Sequence, residues 1–282
     1  MDRAWEIVAA GPDDAEKTVL LLPGGMMSAR SYAELMAESA LARTRLLAVT
    51  LPGNAGAPPL EDNSIEASAQ ALADFASQSG VDVVVGFSNG AAVAYEMVVS
   101  GGFGGPVVLL GISLSAKDEP AFFRGLIRLC SVLGTLPIAF LKKVAGFLIA
   151  SVPVAPERRD ELKADFARNN AGDLRRALRA YLRWLHRNDD PARRLCQAGV
   201  PAWVVHAEKA GDGGLTSHER AVLEACPHVH LVTLPGKVFV IPNEVPERVA
   251  ELIVDALGTT GGGAAAVRLA RGRSRRAVSE RD

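Results

Sequence analysis

Several features that would give this chain an immediate function are missing or scarce. Its 282 residues include only three cysteines, Cys130, Cys196 and Cys226, scattered and without metal-ligand spacing. That excludes a disulfide-rich scaffold or a cysteine-ligated zinc module, and predicts buried free thiols in a reducing compartment. Charge of one sign is missing too. The formal net charge is −1, so bulk electrostatics give no reason to expect nucleic acid or an anionic membrane as partner. The opening Met1-Asp2-Arg3-Ala4-Trp5-Glu6 holds no apolar run long enough for a signal peptide. No clean stretch of about 18 uncharged apolar residues occurs elsewhere. The expectation is a cytoplasmic protein without an integral membrane segment. No internal repeat is present, and none of the five histidines lies beyond His230.

What is present is an ordinary globular balance, 49% hydrophobic and 22% charged, enough for one substantial core or a core with an inserted subdomain. Short apolar runs alternate with helical spacing. Strands are predicted at Trp5–Ala9, Thr18–Leu22, Leu46–Val49, Val81–Val85 and Pro106–Leu110, with helices over Ser31–Ala42 and Ser64–Ser77, the latter capped by Ser64. From about Ser113 to Arg194 the alternation gives way to helices alone: Pro120–Leu129, Leu136–Ile149, Pro156–Asn169 and Asp173–His186. Strands resume at Trp203–His206 and His230–Leu234, with helices from Ser217 to Ala225 and Pro246 to Leu257. This is the pattern of an α/β fold with a mostly parallel, doubly wound sheet. The expected organisation is a core from residues 1–112 and 195–257, a helical insertion over 113–194, and a disordered basic tail over 258–282. That tail carries Arg268, Arg271, Arg273, Arg275 and Arg276 and too little apolar content to pack.

One stretch carries chemistry. Gly86-Phe87-Ser88-Asn89-Gly90 follows the apolar run Val81–Val85 and precedes Ala91-Ala92-Val93-Ala94-Tyr95. It reads as strand, sharp turn and helix around G-x-S-x-G. Reversing a strand into a helix within so few residues forces the central residue into an unusual backbone conformation, and the glycines let two backbones pass without a Cβ clash. The serine hydroxyl then stands at the carboxyl end of the sheet, where open α/β folds bind ligands.

Four features in order resemble the α/β-hydrolase superfamily over residues 1 to 257. They are Leu22-Pro23-Gly24-Gly25 after an early strand, Leu51-Pro52-Gly53 after the next, the Ser88 turn, and the helical insertion, which in that family caps the active site. The resemblance implies Ser88 as nucleophile. It also implies an oxyanion hole from the backbone N–H of Asn89 and of a residue in the early glycine loop, where Gly25 matches best and Met26 next. No metal or organic cofactor is implied.

The rest of the triad departs from the family pattern. The aspartate position after the penultimate strand falls on Ala210, within Ala207-Glu208-Lys209-Ala210. Asp212, two residues on, is the candidate acid, with a solvated turn aspartate as the plainer reading; Asp118 is a weaker substitute. After the last strand the family pattern resembles Pro-Gly-x-Gly-His, whereas this chain reads Pro235-Gly236-Lys237-Val238-Phe239 and puts phenylalanine at the base position. His228 and His230 precede or enter the last strand, His206 lies within a strand and His218 opens a helix. His186, late in the insertion, is the one histidine with a route to Ser88. Lys237 is a conceivable base but reads better as a surface lysine. Losing the triad histidine costs on the order of a million-fold in turnover, while an oxyanion hole with a bare serine retains on the order of a thousand-fold over water.

The apolar stretch Gly125–Val154, interrupted by Arg128, Lys142, Lys143, Gly134 and Pro137, suggests two amphipathic helices rather than a membrane span. It either packs the insertion on the core or lines a pocket for a hydrophobic substrate or ligand. The reading is an enzyme acting on a hydrophobic ester, thioester or lactone through Ser88 with a non-standard triad. The alternatives are a non-catalytic protein that binds a small apolar ligand, and a non-hydrolytic lyase- or cyclase-like member.

Overall fold

Seven short apolar runs, most of them buried on both faces, become the strands of one sheet. A computed structural model describes residues 5–115, 125, 155–208, 215–236 and 238–260. In chain order the strands are β1 (Ile7–Ala10), β2 (Thr18–Leu22), β3 (Arg45–Val49), β4 (Val83–Phe87), β5 (Val107–Leu110), β6 (Ala202–Ala207) and β7 (Val229–Leu234). The helices are α1 (Ala33–Met36), α2 (Ile65–Gln78), α3 (Asn89–Val99), α4 (Pro156–Ala167), α5 (Ala171–Arg187), α6 (Pro191–Ala198), α7 (Ser217–Glu224), α8 (Ile241–Glu244) and α9 (Pro246–Gly258). The sheet order is β1-β3-β2-β4-β5-β6-β7, with β1 antiparallel to β3 and every other pairing parallel. This is the doubly wound α/β architecture expected from the sequence.

The two faces of the sheet bury separate cores. Alternate strand residues Leu20, Val84, Leu109 and Val204 pack beneath α2, α3, α6 and α7. Their neighbours Leu21, Val85, Val108 and Val205 pack beneath α1 and α9. A strand covered on both sides has no reason to alternate polar with apolar residues, and β2, β4 and β5 do not. Register aligns the carboxyl ends of the central strands: Leu22 is opposite Gly86, Phe87 opposite Leu110, and Leu110 opposite Val205. The loops that follow β2, β4, β5 and β6 therefore emerge along one edge, where the site is built.

Two expectations change. The helix read over Ser31–Ala42 is broken into a 3₁₀ turn at Ala29–Tyr32, the short α1, and a second 3₁₀ turn at Ser39–Leu41. Its apolar spacing still places Tyr32, Leu35 and Leu41 in the core, but the backbone turns extended at Glu38 (φ −67°, ψ 127°). Spacing fixed which side chains point inward, and tertiary packing decided the path. The free-thiol reading is also corrected, since Cys196 and Cys226 are joined in a disulfide across 30 residues. Cys196 closes α6, which leads into β6, and Cys226 precedes β7. Pairing of those two strands brings the cysteines together. Cys130 lies outside the described residues.

Between β5 and β6, α4, α5 and α6 are described. The predicted helices over Pro120–Leu129 and Leu136–Ile149 lie outside the described residues, as does nearly all of the predicted tail. Helix α6 crosses the anticipated boundary at residues 194 and 195, with Ala192 and Leu195 buried in the core. Its anchor is the helix that follows the serine turn. Tyr95 donates its hydroxyl hydrogen to the Pro191 carbonyl at 3.0 Å, and Trp184 Nε1 donates to the buried Glu96 carboxylate at 3.0 Å. Among the described residues no helix is long and apolar enough to cross a membrane.

Candidate active site

Ser88 is the residue on which the local backbone turns. It has φ 50° and ψ −112° between the end of β4 and the start of α3, a region that L-residues occupy at a cost of order 1 to 3 kcal/mol. The surrounding bonds hold it there. Its N–H donates to the Leu110 carbonyl at 2.9 Å, and its carbonyl accepts from Ala91 and Ala92 at 2.9 and 3.1 Å. The flanking glycines are obligatory. A Cβ on Gly86 would lie 2.3 Å from the Gly90 carbonyl oxygen, and one on Gly90 would lie 2.1 Å from the Leu22 oxygen. The turn, α3 and the end of β2 are thus in backbone contact. Phe87 fills the space beneath: its ring is 3.0 Å from where a Gly24 Cβ would stand and 3.7 Å from that of Gly111.

The glycine loop after β2 faces this turn, and a Cβ on Gly25 would be 3.6 Å from Asn89 Cβ. The loop's donors can be accounted for one by one. Met26, at φ 70°, donates its N–H to Asn54 Oδ1 at 2.7 Å. Met27 N–H goes to the Gly24 carbonyl at 3.2 Å. Ser28 N–H goes to Asp165 Oδ2 at 3.2 Å, and Ala29 N–H to Thr50 Oγ1 at 2.8 Å. Gly25 N–H has no acceptor among the described residues. Neither has Asn89 N–H, in the first turn of α3, where helix amides point outward unpaired and the helix dipole favours negative charge. Met26, the second candidate donor, is therefore already engaged.

Three residues of this network carried no signal in the sequence. Asn54, in the Pro-Gly loop after β3, is 3% exposed, and Asn169, just beyond α4, is 2% exposed. Asn169 accepts the Ala55 N–H at 2.8 Å and donates to the Met26 and Phe166 carbonyls, each at 2.8 Å. Asp165, also buried, is held by Arg168 at 2.9 Å. Behind Ala29, Thr50 passes its hydroxyl hydrogen to Glu6 at 3.0 Å. Burial alone would raise the Glu6 carboxyl, but the Thr50 hydrogen bond with Arg168 and Arg30 outweighs it and holds the pKa below the usual carboxylate value.

The residues that the sequence offers as acid or base are engaged elsewhere or lie outside the described residues. Among the described residues no side chain hydrogen-bonds Ser88 Oγ. His186 turns Nδ1 back to the Leu182 carbonyl of its own helix at 2.8 Å and is exposed. His206 is partly buried in β6 with its Nε2 buried and unpartnered, its pKa pushed down to about 4 by desolvation and then by Arg220. His218 lies 3.7 Å from Asp190, His228 Nε2 lies 3.4 Å from Cys226 Sγ, and His230 stacks on Trp203 at 4.8 Å. Phe239 is 58% exposed, on a turn whose Phe239 and Val240 N–H groups both donate to Glu244 Oε1, at 2.9 and 2.6 Å. Asp212, Asp118 and Lys237 lie outside the described residues. Cys196, Cys226 and His228 bring three potential metal donors within 4.8 Å of one another, but the two sulfurs are bonded to each other and are not free ligands.

A sequence profile of the Alpha/beta hydrolase family matches residues 19–252, which span β2 to α9. The chain belongs to this family. A search of curated protein sequences found no match. Among solved structures, this α/β hydrolase is similar to Cfl2 from Burkholderia cenocepacia, at 21% identity and TM-score 0.69, over 89% of this chain and 91% of that one. It is also similar to a thermophilic esterase from Thermogutta terrifontis, at 17% identity and TM-score 0.70, over 91% and 93%. The thioesterase domain from the curacin biosynthetic pathway matches at 18% identity and TM-score 0.63, over 88% and 94%. At these identities the likeness is one of fold.

Proposed function

We propose that this α/β hydrolase cleaves a hydrophobic ester, thioester or lactone slowly, with Ser88 as nucleophile and without a histidine base. The observation that carries the reading is the pairing of a serine at φ 50° with two backbone N–H groups, of Gly25 and Asn89, left without acceptors among the described residues. Ser88 Oγ would bond to the acyl carbon while the carbonyl oxygen takes up negative charge against those two amides. Each such donor contributes about 3 to 4 kcal/mol in the transition state. Collapse of the intermediate expels the alcohol or thiol, and water releases the acid. Membership of the family and fold likeness to an esterase and a thioesterase domain support hydrolytic chemistry of this type.

The base half is proposed to be weak. Among the described residues none of the five histidines hydrogen-bonds Ser88, and the Ser88 proton is proposed to go to Asp212, the candidate acid read from the sequence. A carboxylate is a poor match to a serine hydroxyl, which accounts for the slow turnover expected. The insertion between β5 and β6 is proposed to act as the cap over the acyl group. The test is turnover of short- and medium-chain p-nitrophenyl esters, together with labelling by a fluorophosphonate probe. Turnover and labelling that both vanish in Ser88→Ala support the reading, and a wild-type protein that neither turns over nor is labelled overturns it. The exposed Phe239 at the base position favours one other reading, binding of an apolar ligand without cleavage. In that case such a ligand binds equally well to wild type and Ser88→Ala, and no product forms.

A further inference from the structure

The glycine loop is not held by the core alone. From Met26 to Ala29 its backbone is fastened by side chains from two other parts of the chain. Asn54 and Thr50 come from the end of β3 and the loop after it, while Asp165 and Asn169 come from α4 and its end, in the insertion. Asn169 is the most connected of these. Its amide nitrogen takes the Met26 carbonyl and its amide oxygen the Ala55 N–H, each at 2.8 Å, so one buried side chain bridges the loops after β2 and β3. Asn54 holds the other side of the Met26 peptide through its N–H. A residue at φ 70° held at both its N–H and its carbonyl has little freedom to rotate, and the Gly25 N–H lies one peptide before the Met26 N–H that Asn54 holds.

We infer that Asn169, with Asn54, is a positioning residue that orients the Gly25 N–H toward Ser88, and so makes the insertion a structural part of the oxyanion hole. This rests on the proposed role of Gly25. The contacts that dock α4 are aimed at the same loop and at the short helix that follows it. Asp165 takes the Ser28 N–H at 3.2 Å, and Arg158 pairs with Glu34 of α1 at 2.8 Å. Moving α4 away would release the Met26 carbonyl and the Ser28 N–H together. The Met26–Met27 peptide would then be free to turn, leaving the loop that carries the Gly25 N–H tethered at Met26 by Asn54 alone, and a donor displaced by about 1 Å loses on the order of 100-fold in rate.

The experiment uses the full chain and a fluorophosphonate probe, whose phosphoryl oxygen needs the same donors as an acyl oxyanion. Maximal labelling rate and probe affinity are measured separately, and amide hydrogen exchange over residues 24–30 is followed without probe. Asn169→Ala is expected to lower the maximal rate about 10- to 100-fold with affinity changed less than about threefold, and to speed exchange at Met26 and Ser28. Asn169→Asp is expected to do worse than alanine, because a carboxylate oxygen would face the Met26 and Phe166 carbonyls. Asn54→Asp, which keeps an acceptor for Met26 N–H, is expected to lose less than Asn54→Leu. Leu223→Ala, on the buried face of α7, lowers the thermal midpoint without slowing labelling and controls for general destabilisation. Wild-type labelling rates in Asn169→Ala, or a loss matched by Leu223→Ala, overturn the positioning role while Ser88 remains the nucleophile. Wild-type protein that is not labelled at Ser88 overturns the proposed function, and the positioning role with it.

Discussion

The two sides of Ser88 are built to different standards. On one side the glycine loop and the serine turn form a half-buried lattice in which the N–H groups from Met26 to Ala29 each have an acceptor, and those of Gly25 and Asn89 remain free among the described residues. On the other, Phe239, which the sequence resemblance puts at the base position of the family pattern, is 58% exposed on a turn closed by Glu244. The histidines serve in a strand, on surfaces and beside a disulfide. The difference teaches that stabilising an oxyanion and taking a proton are separable. The first depends on backbone fixed by the fold, so it survives as long as the fold does; the second depends on one side chain, which a single substitution removes.

The largest effect should come from Ser88→Ala, with complete loss of fluorophosphonate labelling and of ester turnover, read by intact-mass spectrometry and initial rates. Persistent turnover would move the chemistry away from the turn altogether. Next in size is Gly90→Ala. A Cβ placed 2.1 Å from the Leu22 carbonyl forces β2 and α3 apart, and the fold should lose about 3 kcal/mol or more. Urea unfolding measures it, and a near-native midpoint would mean that the lattice side is softer than described. Phe239→His sharpens the comparison from the opposite side. If only the base is missing, restoring an imidazole there should speed Ser88 labelling by about 100-fold or more, and no gain would show that the second side lacks more than its base.

The last effect is seen only toward acid pH and concerns a partly buried histidine of β6. His206 has a folded-state pKa pushed down to about 4 from the ordinary 6.5, so the folded protein resists its protonation. The resulting stability is fully present above about pH 6.5 and is lost as the pH falls toward 4, at a total of about 3 kcal/mol. His206→Leu should flatten that acid-side loss in thermal midpoints taken across this range, with the pH dependence of Ser88 labelling unchanged. A change in the labelling profile would return His206 to the site.

The serine side was legible in the sequence because its constraints are local. Glycines two residues either side of Ser88, a β-branched run before it and an alanine-rich helix after it leave the backbone few other paths. The strands were legible for the same reason, most to within a residue or two. What was not legible acts at a distance. Asn54, Asp165 and Asn169 bond to backbone groups 28, 137 and 114 residues away, and nothing in their neighbours marks them. The bond between Cys196 and Cys226 likewise exists only because β6 and β7 pair. The sequence puts Phe239 where the family resemblance expects a histidine, but where the five histidines go depended on the packing of each element.

The most direct test is the pH dependence of the rate at which a fluorophosphonate labels Ser88, followed by site-resolved mass spectrometry between pH 5 and 9. The expected result is an adduct on Ser88 that forms slowly, with no imidazole-type inflection near pH 6 to 7. Fast labelling with such an inflection, or an unlabelled Ser88, would contradict a site with a complete oxyanion side and no histidine base.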